Sequence, residues 1–185
     1  MGKRVAFAGH RTIIYQSERV RERLKKAIYE QINGGCRFFT MGHHGEFDFT
    51  SLDICRQARK IHPDIEIEVV LTSYHAINKN KDAEYLPYQD VSTVMFDIED
   101  EYFKRQITLS NRKMIDGCDT LICYVDKKRS PSGAKRAMNY AKRKGLEIIN
   151  VFREDDDPTF GMTDSEKEAY WNEKLALPWI QCYLM

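Results

Sequence analysis

The sequence predicts an α/β protein with an open, mostly parallel sheet and helices on both of its faces. Three observations predict this fold class. Short apolar runs alternate about five times with longer stretches whose apolar positions recur at helical spacing. The run over 65–71 alternates and then becomes continuously apolar, and the run over 120–125 is apolar after its first residue, which is typical of strands buried on both faces of a parallel sheet. The chain has 185 residues, 42% of them hydrophobic, and can therefore enclose one sizeable core.

The first half of the chain alternates three predicted strands with two predicted helices. The first apolar run ends at Gly9, and the next helix begins at Ser17, whose hydroxyl can cap it. Asn33-Gly34-Gly35 ends this helix, because these residues accept the left-handed conformation of a helix stop. His62-Pro63 closes the second helix. In order, the elements cover residues 4–8 (strand), 17–32 (helix), 36–41 (strand), 47–61 (helix) and 65–71 (strand).

The second half continues the alternation after a polar segment. Residues 72–90 show little periodicity and are predicted to form a surface loop. Gly117 and Gly145 each end a predicted helix, and residues 120–125 form the clearest buried strand. In order, the elements cover residues 91–96 (strand), 102–115 (helix), 120–125 (strand), 132–144 (helix) and 147–152 (strand).

A change of pattern near residue 153 predicts two parts of unequal size. Residues 1–153 are expected to form the α/β domain, and residues 154–185 a C-terminal extension. The extension contains an acidic turn, a predicted helix over 163–175 and an aromatic end over 178–185. Because that end is hydrophobic, we expect the extension to pack on the domain or on a partner subunit.

Composition and charge exclude several classes of protein. The 29 basic and 28 acidic residues give a formal net charge of +1, which argues against a non-specific nucleic-acid binder. No apolar stretch approaches the length that spans a bilayer, and the start of the chain lacks the apolar run of a secretory signal. The five cysteines are dispersed and lack CxxC spacing, so we expect no disulfide framework and a cytoplasmic location.

The first candidate site follows the first strand. Ligands of an open parallel sheet bind beyond the carboxyl ends of its strands, and Gly9-His10-Arg11 stands at such an end. Glycine permits a tight turn, the following amides can face an anion, and arginine can grip a phosphate with two hydrogen bonds. The alternative is an ordinary turn with a solvent-exposed arginine.

The second candidate site follows the second strand. Gly42 and Gly45 allow close approach of the backbone, and Glu46 and Asp48 can accept hydrogen bonds from ribose hydroxyls. The adjacent histidines 43 and 44 suggest a metal, but two neighbours in a loop seldom converge on one ion, and no third ligand stands at metal spacing. We therefore expect a polar ligand pocket and no metal, with an ordinary glycine turn as the alternative.

Two further candidates flank the fifth strand. Arg112 lies on the helix before it, where an ion pair with Asp116 four residues later is the competing interpretation. Ser130, Ser132 and Gly133 open the helix after it, where amides can cradle an anion. This segment lacks the GKS or GKT ending of a Walker A loop, and no GxGxxG, GxSxG or HExxH motif is present, so we expect no cofactor.

The motifs at these positions resemble those of the SLOG superfamily, a Rossmann-like group, and are most similar to its DUF1273/YpsA-like branch. The superfamily also contains the cytokinin-activating LOG phosphoribohydrolases and DNA-processing protein A. The resemblance covers about residues 3–152 and is carried by Gly9-His10-Arg11, Gly42-x-x-Gly45-x-x-Asp48, Asn111-Arg112-x-Met114 with Asp119, and Ser130-x-Ser132-Gly133.

The resemblance implies a Rossmann-like sheet that binds a nucleotide or a nucleotide-derived ligand, with a homodimer as the expected assembly. In LOG enzymes an arginine and a glutamate cleave the N-glycosidic bond of nucleoside monophosphates. Arg112 matches the arginine, but Ala137 stands where the glutamate is expected. Glu46, Asp48, Glu99 or Glu101 are the carboxylates that could take over its role.

Three functional hypotheses follow. The first is a binder of a small anionic ligand, a nucleotide or a nucleotide sugar, at the carboxyl edge of the sheet. The second is an N-glycosidase, phosphoribohydrolase or deoxyribosyltransferase-like enzyme that uses Arg112, Asp48 and Glu46. The third is a DNA-processing accessory protein, suggested by the relatives within the superfamily and by the aromatic tail, with the basic residues of the first helix as the face that could contact DNA. A solvated helix face is the competing interpretation of those basic residues, which are Arg19, Arg21, Arg23, Lys25 and Lys26.

Overall fold

A computed structural model describes residues 2–13, 17–71, 88–96, 102–128 and 132–175 of the chain. The chain divides into two compact units, the first of which ends at Phe152 and the second of which begins at Arg153. The first unit holds the sheet and the candidate site. None of the described helices is both long and apolar enough to cross a membrane.

A six-stranded sheet forms the centre of the first unit. Its strands are β1 (Arg4–Gly9), β2 (Phe38–Met41), β3 (Glu66–Leu71), β4 (Ser92–Met95), β5 (Thr120–Tyr124) and β6 (Glu147–Asn150). Their spatial order is β4-β3-β2-β1-β5-β6, and every neighbouring pair is parallel. The predicted α/β class is therefore confirmed, and the described sheet is parallel throughout.

Within the described ranges, four helices cover the two faces of this sheet. They are α1 (Ser17–Asn33), α2 (Glu46–Ile61), α3 (Phe103–Asp116) and α4 (Gly133–Lys144). Successive side chains of β1 point to opposite faces of the sheet and show which helices cover each face. Val5 and Phe7 pack in the core with α1 and α2. Ala6 and Ala8 point the other way and pack with α3 and α4. Their small side chains let that pair of helices approach the sheet closely.

The strand order places a topological switch point beside β1. The chain moves outward from β1 to β4 on one side, then returns through α3 to β5 on the other side of β1. In such Rossmann-like sheets the neighbouring loops separate at this point, and the crevice between them is where ligands bind. The carboxyl ends of β1 and β5 frame this crevice, because Gly9 pairs with Tyr124 in the last register position.

The predicted elements correspond to the observed ones, with differences at their ends. Helix α4 begins one residue later than predicted because Ser132 is its N-cap, with a hydroxyl that accepts the amide hydrogen of Lys135 at 3.1 Å. Strand β6 ends at Asn150, whose side chain bonds the amide and the carbonyl of Val125 at 3.0 and 2.8 Å. Of the loop predicted over 72–90, residues 72–87 lie outside the described part of the chain.

The second unit contains a short 3₁₀ helix, Glu154–Asp156, and helix α5 (Asp164–Leu175). Thr163 and Glu166 form a reciprocal cap at the start of α5, with the Thr163 amide donating to Glu166 at 2.7 Å. The predicted acidic turn and helix are thus present. The aromatic end predicted over 178–185 lies outside the described residues.

Candidate functional site

A cleft of about 370 Å³ opens at the switch point. The loops after β1 and β2, one side of α3 and the first turn of α4 form its walls. Its lining contains these predicted site residues: Gly9, His10, Arg11, Gly42, Gly45, Asp48, Ser132 and Gly133. The fold therefore brings together residues from three separate loops that the sequence marks individually.

Two glycines allow the loops after β1 and β2 to meet. A Cβ atom at Gly9 would lie 2.4 Å from the ring of Phe47, which is buried at the start of α2. A Cβ atom at Gly45 would lie 2.7 Å from the Cα atom of Arg11 and 2.9 Å from its carbonyl oxygen. Both separations are too short for real atoms, so the close contact of the two loops requires glycine at each position.

His10 ties the loop after β1 to the loop after β5. Its side chain is buried, its amide donates to the Tyr124 carbonyl at 3.0 Å, and its Nε2 accepts the Asp126 amide at 3.0 Å. Because Nε2 accepts a hydrogen bond, the ring proton of the neutral imidazole is on Nδ1. His10 thus holds two edges of the cleft at a fixed separation.

Asp48 is the carboxylate of the cleft. It lies in the first turn of α2, where its Oδ2 accepts the His44 amide at 3.1 Å. Burial raises its pKa to about 6, although hydrogen bonds from the amides of His44 and Gly45 oppose this shift. Gly42 leaves room for the carboxylate, since a Cβ atom there would stand 3.2 Å from Oδ2.

Glu46 lies near the cleft but is not part of its lining. Its Oε2 accepts the amide hydrogen of Ile13 at 2.9 Å, and its own amide donates to the Arg11 carbonyl at 2.7 Å. These two bonds join the start of α2 to the loop after β1. In this arrangement Glu46 holds the loops together, and its carboxylate is already engaged with the backbone.

The first turn of α4 brings backbone amides to the cleft. The Ser132 hydroxyl accepts the amide hydrogen of Lys135. Gly133, the next residue, is exposed, and a Cβ atom there would meet nothing within 4 Å. The first amides of a helix lack intrahelical partners, and the helix dipole makes this end positive. Ser130, the remaining predicted residue of this segment, lies outside the described residues.

Two guanidinium groups, Arg11 and Arg136, line the cleft from opposite elements. Both side chains are exposed, and neither makes an ion pair or hydrogen bond within the described part of the chain. Arg112, the third predicted cation, does not line the cleft and stands beside it on α3. Its expected partner Asp116 instead accepts hydrogen bonds from Lys144 and Tyr140.

The rings of the two adjacent histidines are in contact, with centroids 3.9 Å apart and planes inclined by 39°. The ring of His43 bonds the Val70 carbonyl at 3.0 Å, whereas His44 lines the cleft. Burial, followed by the neighbouring His43 and Arg11 charges, lowers the pKa of His44 to about 4, so its ring is neutral at physiological pH. Over the described residues there is no group of three or more His, Cys, Asp or Glu side chains able to hold a metal ion.

Asn111, part of the motif that carries the resemblance, also lines the cleft, as do Arg136 and Thr108, which sequence reasoning did not select. Arg136 stands one turn inside α4, and helical side chains tilt toward the N-terminus of their helix. An arginine at this distance from a predicted N-cap can therefore reach a ligand at the helix start. Thr108 carries no such signal, because its position depends on the packing of α3.

The basic residues of α1 make several contacts within the chain. Arg21 pairs with Asp53, Arg23 donates to the Val151 carbonyl at 2.9 Å, and Lys26 lies 3.9 Å from Glu30. Their charges are thus partly balanced by neighbours. The cysteines that the structure describes, Cys36, Cys55, Cys118 and Cys123, are free thiols.

Comparison with protein-family models gives no match, and no curated protein matches the chain in sequence.

Proposed function

We propose that this protein binds a nucleotide or a nucleotide-derived phosphate in the cleft at the switch point. One observation carries the proposal: Arg11, Arg136 and the positive end of α4 meet in a cleft whose lining, over the described residues, contains a single carboxyl group, that of Asp48. Guanidinium groups and helix amides are the donors that proteins direct at phosphate oxygens.

The proposed arrangement assigns a role to each wall of the cleft. The amides of Gly133 and Ala134 and the two guanidinium groups hold the phosphate. Asp48 and Asn111 bond ribose hydroxyls, since a carboxylate accepts and an amide both donates and accepts. The neutral ring of His44 offers a flat surface to the base. A volume of about 370 Å³ suits a ligand of this size.

A small ligand fits this charge pattern better than a long polyanion. Phosphate contacts with a polymer require a basic surface that extends over many residues. Arg11, Arg136 and the start of α4 instead converge on one concave site. Membership of the SLOG superfamily, through its DUF1273/YpsA-like branch, belongs to the same proposal, as do a homodimer and a cytoplasmic location.

Nucleotides are expected to stabilise the protein against heat. A panel of nucleoside phosphates and nucleotide sugars, each at millimolar concentration, tests this in a thermal-shift experiment. A ligand present at 100 times its Kd adds about 2.7 kcal/mol of stability, which raises the midpoint visibly. Sodium sulfate at equal ionic strength is the control. If no compound raises the midpoint above that control, the proposed function is wrong.

An enzyme that hydrolyses N-glycosidic bonds is the second candidate, and Asp48 favours it. A carboxyl group with a pKa of about 6 retains its proton near neutral pH more often than an ordinary aspartate. Such a group can protonate the departing base while the bond between the base nitrogen and the ribose carbon breaks. Water then adds to that carbon and releases a proton.

Asp48→Asn is expected to abolish base release if this second candidate is correct. Removing a general acid lowers rates by about 10² to 10⁴-fold. The wild type and the variant are incubated with nucleoside 5′-monophosphates, and free base is measured by chromatography. Asp53→Asn, on the same helix but outside the cleft, is the matched control. If the wild type releases no base from any nucleotide, the hydrolase hypothesis is wrong and the nucleotide-binding proposal is unaffected.

A further inference from the structure

A shallow depression of about 10 Å³ opens between α3 and α4 beside the main cleft. It shares part of its lining with the cleft, including Asn111, Gly133 and Arg136. Arg112 lines the depression and not the cleft. The two spaces are therefore adjacent compartments of one recess, with Arg136 between them.

Two arginines and no acidic side chain of the described residues line the depression. Arg112 and Arg136 both line it, and no Asp or Glu of the described ranges belongs to its lining. Two positive charges without a carboxylate in the same lining make this part of the surface electropositive, which favours an anion there. Within the described residues neither guanidinium makes an ion pair.

Asp116, the acidic residue of α3, is already bound by two side chains of α4. The carboxylate of Asp116 accepts hydrogen bonds from the Tyr140 hydroxyl at 2.7 Å and from Lys144 at 2.9 Å. These contacts lower its pKa, with Lys144 the larger cause. The Arg112 guanidinium lies 5.4 Å from the centre of the Tyr140 ring, and its charge lowers the pKa of Asp116 less than the Lys144 and Tyr140 contacts do.

We propose that the ligand carries two neighbouring anionic groups, and that Arg112 and Arg136 bind the second. This inference rests on the proposed function and narrows it to nucleotides with a diphosphate group. The first phosphate lies against the start of α4, Arg11 and Arg136, and the second lies at the mouth of the depression, where Arg112 and Arg136 contact it. The depression itself has room for about one water molecule, so the phosphate stays at its entrance.

Nucleoside diphosphates are expected to bind at least tenfold more tightly than the matching monophosphates. Charge-assisted contacts of this kind contribute about 1.4 kcal/mol or more, which corresponds to a factor of ten. Isothermal titration with the mono- and diphosphates of adenosine, guanosine, cytidine and uridine, at constant ionic strength, measures this ratio. Arg112→Gln is expected to lower this ratio toward one, because it removes a contact that only the second anionic group makes.

Arg143→Gln is the matched control. Arg143 lies 5.9 Å from the same Tyr140 ring and lines neither compartment, so its loss should leave the ratio intact. Equal affinity of mono- and diphosphates for the wild type would overturn the inference and leave the proposed function standing. A ratio that survives Arg112→Gln would also overturn it. Failure of every nucleotide to bind would instead contradict the proposed function itself.

Discussion

Gly45→Ala is expected to lower the midpoint of thermal unfolding by several degrees and to abolish nucleotide binding. The new Cβ atom would lie 2.7 Å from the Arg11 Cα atom and 2.9 Å from its carbonyl oxygen. Both neighbours are backbone atoms, so the two loops must separate. That movement weakens the bond between the Glu46 amide and the Arg11 carbonyl, now 2.7 Å long.

The size of this effect follows from the steric cause alone. The backbone at Gly45 is extended, with φ −152° and ψ 166°, which any residue adopts without strain. Overpacking of this kind costs about 1–3 kcal/mol. For a chain of this length each kcal/mol corresponds to about 2–4 °C, so differential scanning calorimetry resolves the change.

Gly117→Ala is the control for this prediction. A Cβ atom at Gly117 has its nearest neighbour at 3.8 Å, and its φ of −92° suits alanine. The control protein should be as stable as the wild type or slightly more stable. It should also bind nucleotides normally, because Gly117 does not line the cleft. Equal midpoints for the Gly45→Ala and Gly117→Ala proteins would show that the contact of the two loops is not tight.

Asp48→Asn is expected to stabilise the protein by about 3 kcal/mol at pH 8 and by much less at pH 4. Burial raises the pKa of Asp48 from 3.8 to about 6, so the folded protein favours the protonated, neutral form. Protonated Asp48 therefore contributes fully to the free energy of unfolding below pH 3.8, the pKa of the unfolded chain. This contribution is lost as the pH rises through about 6, the pKa in the folded protein. A pKa raised from 3.8 to about 6 corresponds to about 3 kcal/mol.

Urea unfolding of the wild type and the variant across pH 4 to 8 measures this difference. The gain from Asp48→Asn should develop between about pH 4 and pH 6 and remain constant above that range. Asp53→Asn serves as the control, since its exposed ion pair with Arg21 contributes about 1 kcal/mol at most. A variant no more stable than the wild type at pH 8 would mean that Asp48 is well solvated in the folded protein.

The alternation of elements could be predicted because the central strands β1, β2 and β5 are largely buried and the helices that cover the sheet are amphipathic. In β1, Phe7 and Ala8 are both buried although they face different helix pairs, so the run is continuously apolar. The N-cap at Ser132 could also be predicted, because its hydroxyl bonds an amide only three residues away. Interactions between near neighbours in the chain are visible in the sequence.

Contacts between distant residues account for what could not be predicted. Glu46 bonds the amide of Ile13, which is 33 residues away. The spacing suggested Asp116 as a partner for Arg112, but Tyr140 and Lys144 occupy that carboxylate from a different helix. The guanidinium that this exchange leaves without a salt bridge to Asp116 lines the depression beside the cleft. Residue spacing predicts neither the contacts of Asp116 with Tyr140 and Lys144 nor the position of Arg112 beside the cleft.

The location of a bound nucleotide in solution is the most direct test of the proposed function. Backbone amide chemical shifts, followed by NMR while a nucleoside diphosphate is added, provide that location. The largest changes are expected on Gly9, Arg11, Gly133 and Ala134, with little change at the carboxyl ends of α1 and α2. Saturating changes confined to residues away from the switch point, or no change at millimolar nucleotide, would contradict the proposed function.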